Sequence, residues 1–362
     1  MKYIIIFDHF INGGCESLFT SIARRCVTIN FDLIVLRNNV SASQIAQLPS
    51  NVQFVDSRVT KTLDRCRYFR NYINSTKDDV LAVIDFHEVL TSELFMISLS
   101  KKINKWHWFN CNPLMKVKIN KKSAKLYYFL FKYYKRVIFI CNTQKDVLQN
   151  LVPSITEQKS FISYNFVDEE KVTSLATDRI TFDSKYILTV ARIDYGAKDF
   201  ETLVSAYELL KEDLKKIYKL VIVGDGPDRS KLEERISKSK DKEKIIMMGN
   251  QQNPYPWIKN AELFVLSSYS EGFPITILES FVLGTPVISS NCLCGPKEIL
   301  NEYEYGVLFE VGNKNQLAEN IEKLLCNKDL RQYYSMMGKN RAEYYSKESD
   351  KTIKELFNVS AI

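Results

Sequence analysis

Short apolar runs alternate with segments of helical period from one end of this chain to the other, and the pattern comes in two rounds. In the first half, Tyr3–Phe7, Leu33–Leu36, Val52–Val55, Val80–Ile84, Trp106–Phe109 and Val137–Cys141 read as strands, with helical stretches such as Glu16–Arg25 and Leu63–Ile73 between them. In the second half the strands are Tyr186–Val190, Leu220–Val223, Lys244–Met248, Leu263–Leu266 and Pro286–Ser289. The helices there are Phe200–Leu210, Arg229–Ser239, Ile275–Leu283 and Gln316–Cys326. Strands separated by helices must be parallel, joined by right-handed crossovers. The expected class is therefore α/β, with two doubly wound sheets, and ligands of such sheets sit at the carboxyl ends of the strands. The expected boundaries are 1–165 and 166–345, with a linker in 163–184, where periodicity fades and turn residues gather. The stretch Leu330–Phe357 reads as helix, and residues 346–362 are expected to pack back towards the first domain.

Charge divides the two halves. Residues 1–165 carry 23 Lys or Arg against 12 Asp or Glu, whereas residues 166–362 carry 27 against 31. Residues 101–145 hold 12 basic residues and no acidic one, and within them KKSAKLYYFLFKYYKR (121–136) mixes Lys with Tyr, Phe and Leu. Such a stretch suits an anionic membrane surface. A helix with its aromatics packed and its lysines in water is the bland alternative. Nucleic acid is disfavoured because no recognition motif accompanies the charge. No apolar run is long enough to span a bilayer, and MKYIIIFDHF, broken by Asp8, reads as a first strand and not a signal peptide. The eight cysteines are scattered without a CxxC, and there are three histidines, so no metal site is expected and the thiols suit a reducing compartment.

Four motifs follow strands. Ile11-Asn12-Gly13-Gly14-Cys15-Glu16 lets a backbone approach a ligand at a helix start. VARIDYGAKD (190–199) places Arg192 and Lys198 across a glycine loop, two cations suited to a diphosphate. VGDGPD (223–228) is a glycine turn into a helix, with Pro227 expected near its first position. SEGFPITILES (270–280) is the richest. Gly272 frees the loop, Pro274 sets the helix start, and amides between Phe273 and Thr276 lack intrahelical partners. Glu271 precedes the helix and Glu279 lies one turn inside, where a carboxylate can accept both hydroxyls of a ribose diol.

EGFPITILES, followed by LGTPVISSN and GPKEIL, resembles glycosyltransferase family 4, retaining nucleotide-sugar enzymes of GT-B fold. VARIDYGAKDF, GDGPDR and MGNQQNPYPWIKNAELFVLSS resemble the family's other blocks in the same order, over about residues 186–300. In the first half the likeness is thin. The resemblance implies two Rossmann-like domains facing a central cleft, the first binding the acceptor and the second the donor. It implies that Arg192 and Lys198 neutralise the departing diphosphate and that Glu279 holds the ribose. It implies that Glu271 contacts the transferred sugar, in a pocket shaped by Gly272, Phe273 and Pro274. Ile275 and Thr276 then offer amides to phosphate, and Gly13 and Gly14 close over the donor. No metal or other cofactor is implied, because cations and a helix N-terminus take that role. The family often places a His after a strand of the first domain. In Trp106-His107-Trp108-Phe109-Asn110 an Asn stands where that His is expected, so His107, Asn110 and His87 all remain candidates.

The resemblance thus points to a retaining, metal-independent transfer of a hexose or N-acetylhexosamine from a nucleoside-diphosphate sugar, most simply UDP-linked. The acceptor is expected to be a surface polysaccharide or a lipid-linked oligosaccharide, on the cytoplasmic face of the cell membrane. The alternatives are a GT-B sugar-nucleotide epimerase and an inactive nucleotide-sugar-binding subunit.

Overall fold

The apolar runs build two all-parallel sheets, one in each of two units: Met1–Asn165 joined by Lys347–Ile362, and Phe166–Ser346. The computed structural model describes residues 1–10, 13–37, 40–86, 89–110, 130–152 and 154–359.

In the first unit the strands are β1 (Lys2–Phe7), β2 (Asn30–Val35), β3 (Val52–Phe54), β4 (Val80–Asp85), β5 (Lys105–Trp108), β6 (Arg136–Phe139) and β7 (Ser160–Ile162). Their spatial order is β3-β2-β1-β4-β5-β6-β7. Helices α1 (Gly14–Arg25), α2 (Ala42–Ala46), α3 (Thr62–Ser75) and α4 (Leu90–Ser98) follow the first four strands in turn. Ile4, Ile5 and Ile6 are fully buried, as a central parallel strand covered on both faces requires. The chain moves out from β1 to β3 and returns to β4, so the carboxyl ends of β1 and β4 flank the switch point.

The second unit repeats the scheme with β8 (Lys185–Val190), β9 (Tyr218–Val223), β10 (Ile245–Gly249), β11 (Leu263–Leu266), β12 (Val287–Ser290) and β13 (Val307–Phe309). The order is β10-β9-β8-β11-β12-β13. The reversal falls between β8 and β11, the two strands whose following loops carry VARIDYGAKD and SEGFPITILES. Ile187, Leu220, Leu263 and Ile288 are buried in the core of this sheet.

The last helix runs from Lys328 to Phe357. Its final turns belong to the first unit, where Phe357 meets Tyr3 edge-on at 4.8 Å and Thr352 Oγ1 donates to Ile162 O at 2.8 Å.

Several expectations need correction. The edge strands β7 and β13, each three residues long, went unread. The segment 163–184 is not a bare linker: Glu169–Leu175 is a helix, and the Asp168 carboxylate accepts from Lys171 N–H at 3.0 Å. Pro227 precedes the N-cap Asp228 of helix Arg229–Ser237 and so is not its first helical residue. The basic stretch 121–136 ends in one 3₁₀ turn, Leu130–Tyr133, and Arg136 opens β6. Phe131 and Tyr134 are buried, so this end of the stretch packs inward. Residues 111–129 lie outside the described residues.

Candidate active site

Three loops of the second unit meet at the carboxyl ends of β8, β9 and β11. The loops after β8 and β9 mesh by main-chain bonds: Ala191 N–H to Val223 O and Ile193 N–H to Asp225 O, both 3.0 Å, and Asp228 N–H to Ile193 O, 3.2 Å. Glycine makes the approach possible. A Cβ on Gly224, whose φ is +143°, would lie 1.9 Å from Ala191 O. The loop after β8 is also tied to the loop after β11. Asp199 N–H donates to Ser267 O at 3.0 Å, Tyr269 N–H to Ala197 O at 2.8 Å, and Tyr269 Oη to Asp199 Oδ1 at 2.9 Å. The glycine turn and the two cation positions are therefore parts of one rigid surface.

The two cations have different surroundings. Lys198 Nζ pairs with Glu271, whose Oε1 also accepts from Ser268 Oγ at 2.6 Å. An ammonium has three donors, so this pairing leaves Lys198 with donors for a second anion. Arg192 is exposed and has no ion-pair partner among the described residues.

Pro274 is the N-cap of helix Ile275–Val282, with φ −67°. Proline lacks an N–H, and the amides of Ile275 and Thr276 precede the first intrahelical bonds, so they point out of the helix start. Phe273 anchors the preceding loop, buried and edge-on to Tyr345 at 5.1 Å. Gly295, at φ +79°, lies under the same loop: a Cβ there would sit 2.6 Å from Gly272 O. Glu279 is partly buried on this helix. Tyr255 Oη donates to its Oε1 at 3.3 Å. Burial pushes the Glu279 carboxyl up to about 7, although the Tyr255 bond and the charge of Lys171 both pull it down. Arg192, Lys198, Glu271, Gly272, Phe273, Pro274, Ile275, Thr276 and Glu279 thus all lie in or beside these loops.

The first-unit candidates part company. Gly13 caps α1 and Gly14 begins it. The Glu16 side chain folds over this start, 2.8 Å from where a Gly13 Cβ would be. The helix N-terminus therefore already holds a carboxylate of the chain itself. His107 is fully buried. It lies on β5 with no exposed surface, and its ring centre is 4.4 Å from that of Phe109 and 4.9 Å from that of Phe131. Its Nδ1 is 3.3 Å from Glu93 Oε1 and 3.7 Å from Asp85 Oδ2, and Tyr134 Oη donates to Glu93 Oε2 at 2.6 Å. These three groups bring ligand atoms within 4.8 Å of one another, an arrangement that an imidazolium between two carboxylates also produces. Asn110 lies beyond the carboxyl end of β5, partly exposed, its Nδ2 donating to Phe86 O at 2.8 Å and Trp108 O at 3.2 Å. His87 lies outside the described residues.

The motifs did not reveal Tyr255, Lys171 or Ser268. The first two reach Glu279 from other helices, Tyr255–Lys259 and Glu169–Leu175, and no spacing in the sequence encodes that. Ser268 had a signal, being three residues before Glu271 in the same loop.

Residues 176–341 match the family model described as glycosyl transferases group 1. Over 236 residues the chain is 32% identical to N-acetylgalactosamine-N,N'-diacetylbacillosaminyl-diphospho-undecaprenol 4-alpha-N-acetylgalactosaminyltransferase of Campylobacter jejuni, a stretch covering 65% of this chain and 63% of that one. It is 22% identical over 348 residues to the amylovoran biosynthesis glycosyltransferase AmsD of Erwinia amylovora, 95% of each chain. The crystal structure of Anabaena Alr3699/HepE in complex with UDP and glucose superposes with TM-score 0.78 at 13% identity, over 99% of this chain and 100% of that one. The apo form of the lipopolysaccharide outer core galactosyltransferase WaaB gives 0.71 at 18% identity, over 98% and 100%. The second unit thus carries the sequence blocks of the group 1 glycosyl transferases, and the two doubly wound units have the GT-B fold of these structures.

Proposed function

We propose that this chain is a retaining glycosyltransferase that moves a hexose or N-acetylhexosamine from a UDP-sugar to a lipid-linked oligosaccharide or surface-polysaccharide acceptor. The observation that carries the reading is the second unit's loop surface. There a buried-edge carboxylate, two cations and a helix start gather at one switch point. The relatives support the acceptor class, since one is named for a diphospho-undecaprenol substrate and another for amylovoran biosynthesis.

In this reading Glu279 accepts the ribose hydroxyls. Arg192 and the spare donors of Lys198 take up charge as the diphosphate departs, together with the amides of Ile275 and Thr276. Glu271, held by Lys198 and Ser268, meets a hydroxyl of the transferred sugar. Gly272, Phe273 and Pro274 shape the sugar pocket. In the first unit, Asn110 stands at the sequence position expected of a histidine. The departing phosphate itself accepts the acceptor's proton, so no further base is required. Metal independence follows from the cations and the helix start. Peripheral binding to the cytoplasmic membrane face follows from the basic residues of 101–136; no helix among the described residues is long and apolar enough to cross a membrane.

Calorimetric titration of UDP, GDP and ADP into the purified chain, with and without EDTA, tests the reading. UDP should bind best, unaffected by EDTA, and Glu279→Ala and Arg192→Ala should each weaken it about tenfold. Absence of binding by all three nucleotides sinks the assignment.

A further inference from the structure

A groove of about 760 Å³ runs between α3 and α4 of the first unit. Each helix lines it with one face at helical spacing: Leu63, Cys66, Arg67 and Arg70 from α3, and Leu94 and Phe95 from α4. Its head is Arg37, just after β2, beside Thr91 in the first turn of α4. The groove therefore opens at the carboxyl edge of the sheet, the same edge that carries Asn110.

Its surface is both apolar and cationic. Leu63 and Leu94 are 76% and 55% exposed, unusual for leucines on neighbouring helices. Arg37 pairs with Asp8 at 3.1 Å and Arg67 with Asp64 at 3.2 Å. Arg70 has no ion-pair partner among the described residues. Behind Arg37 lies Arg65, only 2% exposed. Its Nη1 donates to the main-chain O of Arg37 at 3.3 Å, its Nε has no hydrogen-bond partner, and no carboxylate pairs with it among the described residues. Arg37, Arg67 and Arg70 thus line the groove, with Arg65 buried behind them. Asp8 supplies one buried carboxylate here, and a second anion at Arg37 adds to the counter-charge beside Arg65.

A ligand that matches this surface is an amphiphile with an aliphatic chain and more than one negative charge. We propose that the α3–α4 groove binds the isoprenoid diphosphate of the acceptor, its chain along Leu63, Leu94 and Phe95 and its diphosphate on the arginines. This rests on the lipid-linked branch of the proposed function. It extends that branch by naming the part of the acceptor the chain recognises and where. A diphosphate is favoured over a phospholipid monoanion because three guanidiniums, each a two-donor fork, line the groove.

The test is titration of farnesyl diphosphate into the full chain, beside farnesol, inorganic diphosphate and phosphatidylglycerol vesicles. UDP affinity is measured on the same samples. Arg70→Glu and Leu94→Glu alter exposed side chains, and thermal melting checks that both fold. Farnesyl diphosphate should bind at least about tenfold more tightly than farnesol or inorganic diphosphate. Each variant should weaken it by about tenfold and leave UDP affinity within about twofold. The assignment is overturned if farnesyl diphosphate binds no better than its two halves. It is equally overturned if neither variant matters, or if the variants change vesicle binding alone, which would make the groove a phospholipid contact. Failure of UDP to bind removes the proposed function itself. Binding of UDP without farnesyl diphosphate removes only the groove assignment.

Discussion

Glu279, the proposed ribose acceptor, shows how a buried carboxyl is set against stability. Its carboxyl is raised from its ordinary value near 4.5 to about 7, chiefly by burial. Between those two values the native side chain keeps a proton that the unfolded one has lost. Stability therefore falls as pH rises through this window and levels off above about 7. The full cost is at most about 3 kcal/mol, and residual exposure reduces it. Glu279→Gln should accordingly raise the melting temperature at pH 8 and leave it nearly unchanged at pH 5. If Glu279 accepts the ribose hydroxyls as proposed, UDP affinity of the unaltered chain should rise over pH 6 to 8, because the ionised carboxylate is the stronger acceptor. Melting curves and titrations at these pH values check both; an equal stabilisation at pH 5 and pH 8 would show that burial of charge is not the cause. At this scale the sequence was a partial guide. Glu271 and Glu279 were legible because Gly and Pro fix the loop and helix around them. Tyr255 and Lys171 were not, since only tertiary packing brings them to Glu279. The burial of His107 was not legible, because a histidine between two tryptophans suits a core and a site equally.

At the scale of elements, the second unit's site is a set of loops held at fixed separation by glycines that tolerate no side chain. Gly295 is the sharpest case, since its φ of +79° and the 2.6 Å approach to Gly272 O both exclude a Cβ. Gly295→Ala should push the 272–274 loop away from its position, lowering stability by about 1–3 kcal/mol. UDP should also bind less tightly, because Phe273 and the start of helix Ile275–Val282 move together. Denaturant unfolding and UDP titration measure the two effects. An alanine variant with native stability and native affinity contradicts this account of the loop. Strand and helix positions were mostly legible because buried parallel strands are written as unbroken apolar runs. The misses were of two kinds. β7 (SFI) and β13 (VLF) are three-residue edge strands that, unlike β3, were not picked out, and the helix Glu169–Leu175, EEKVTSL, has little apolar face to announce itself.

At the scale of the whole molecule, the chain's last helix serves both units in sequence without being a core element of only one. Residues up to Ser346 count with the second unit and those from Lys347 with the first. Ile353, Leu356 and Phe357 are each 2% exposed or less, and Phe357 meets both Tyr3 and Phe31 edge-on. Each such side chain contributes about 2 kcal/mol on burial. Arg25 pairs with Asp350, and Arg136 Nη1 donates to Leu356 O at 3.2 Å. A chain ending at Ser346 loses all of this from the first unit and nothing from the core of the second. The loss, roughly 6 kcal/mol from the three apolar side chains alone, is comparable with the whole margin of an ordinary domain. The shortened chain should therefore melt in two steps, with an early transition from the first unit, while UDP affinity in the cold stays within about twofold of the full chain. Calorimetric scanning with and without UDP separates the steps, because a bound nucleotide raises only the transition of the unit that holds it. A single transition that UDP shifts as a whole would mean that the units unfold together, and that the terminal turns stabilise the molecule and not one sheet.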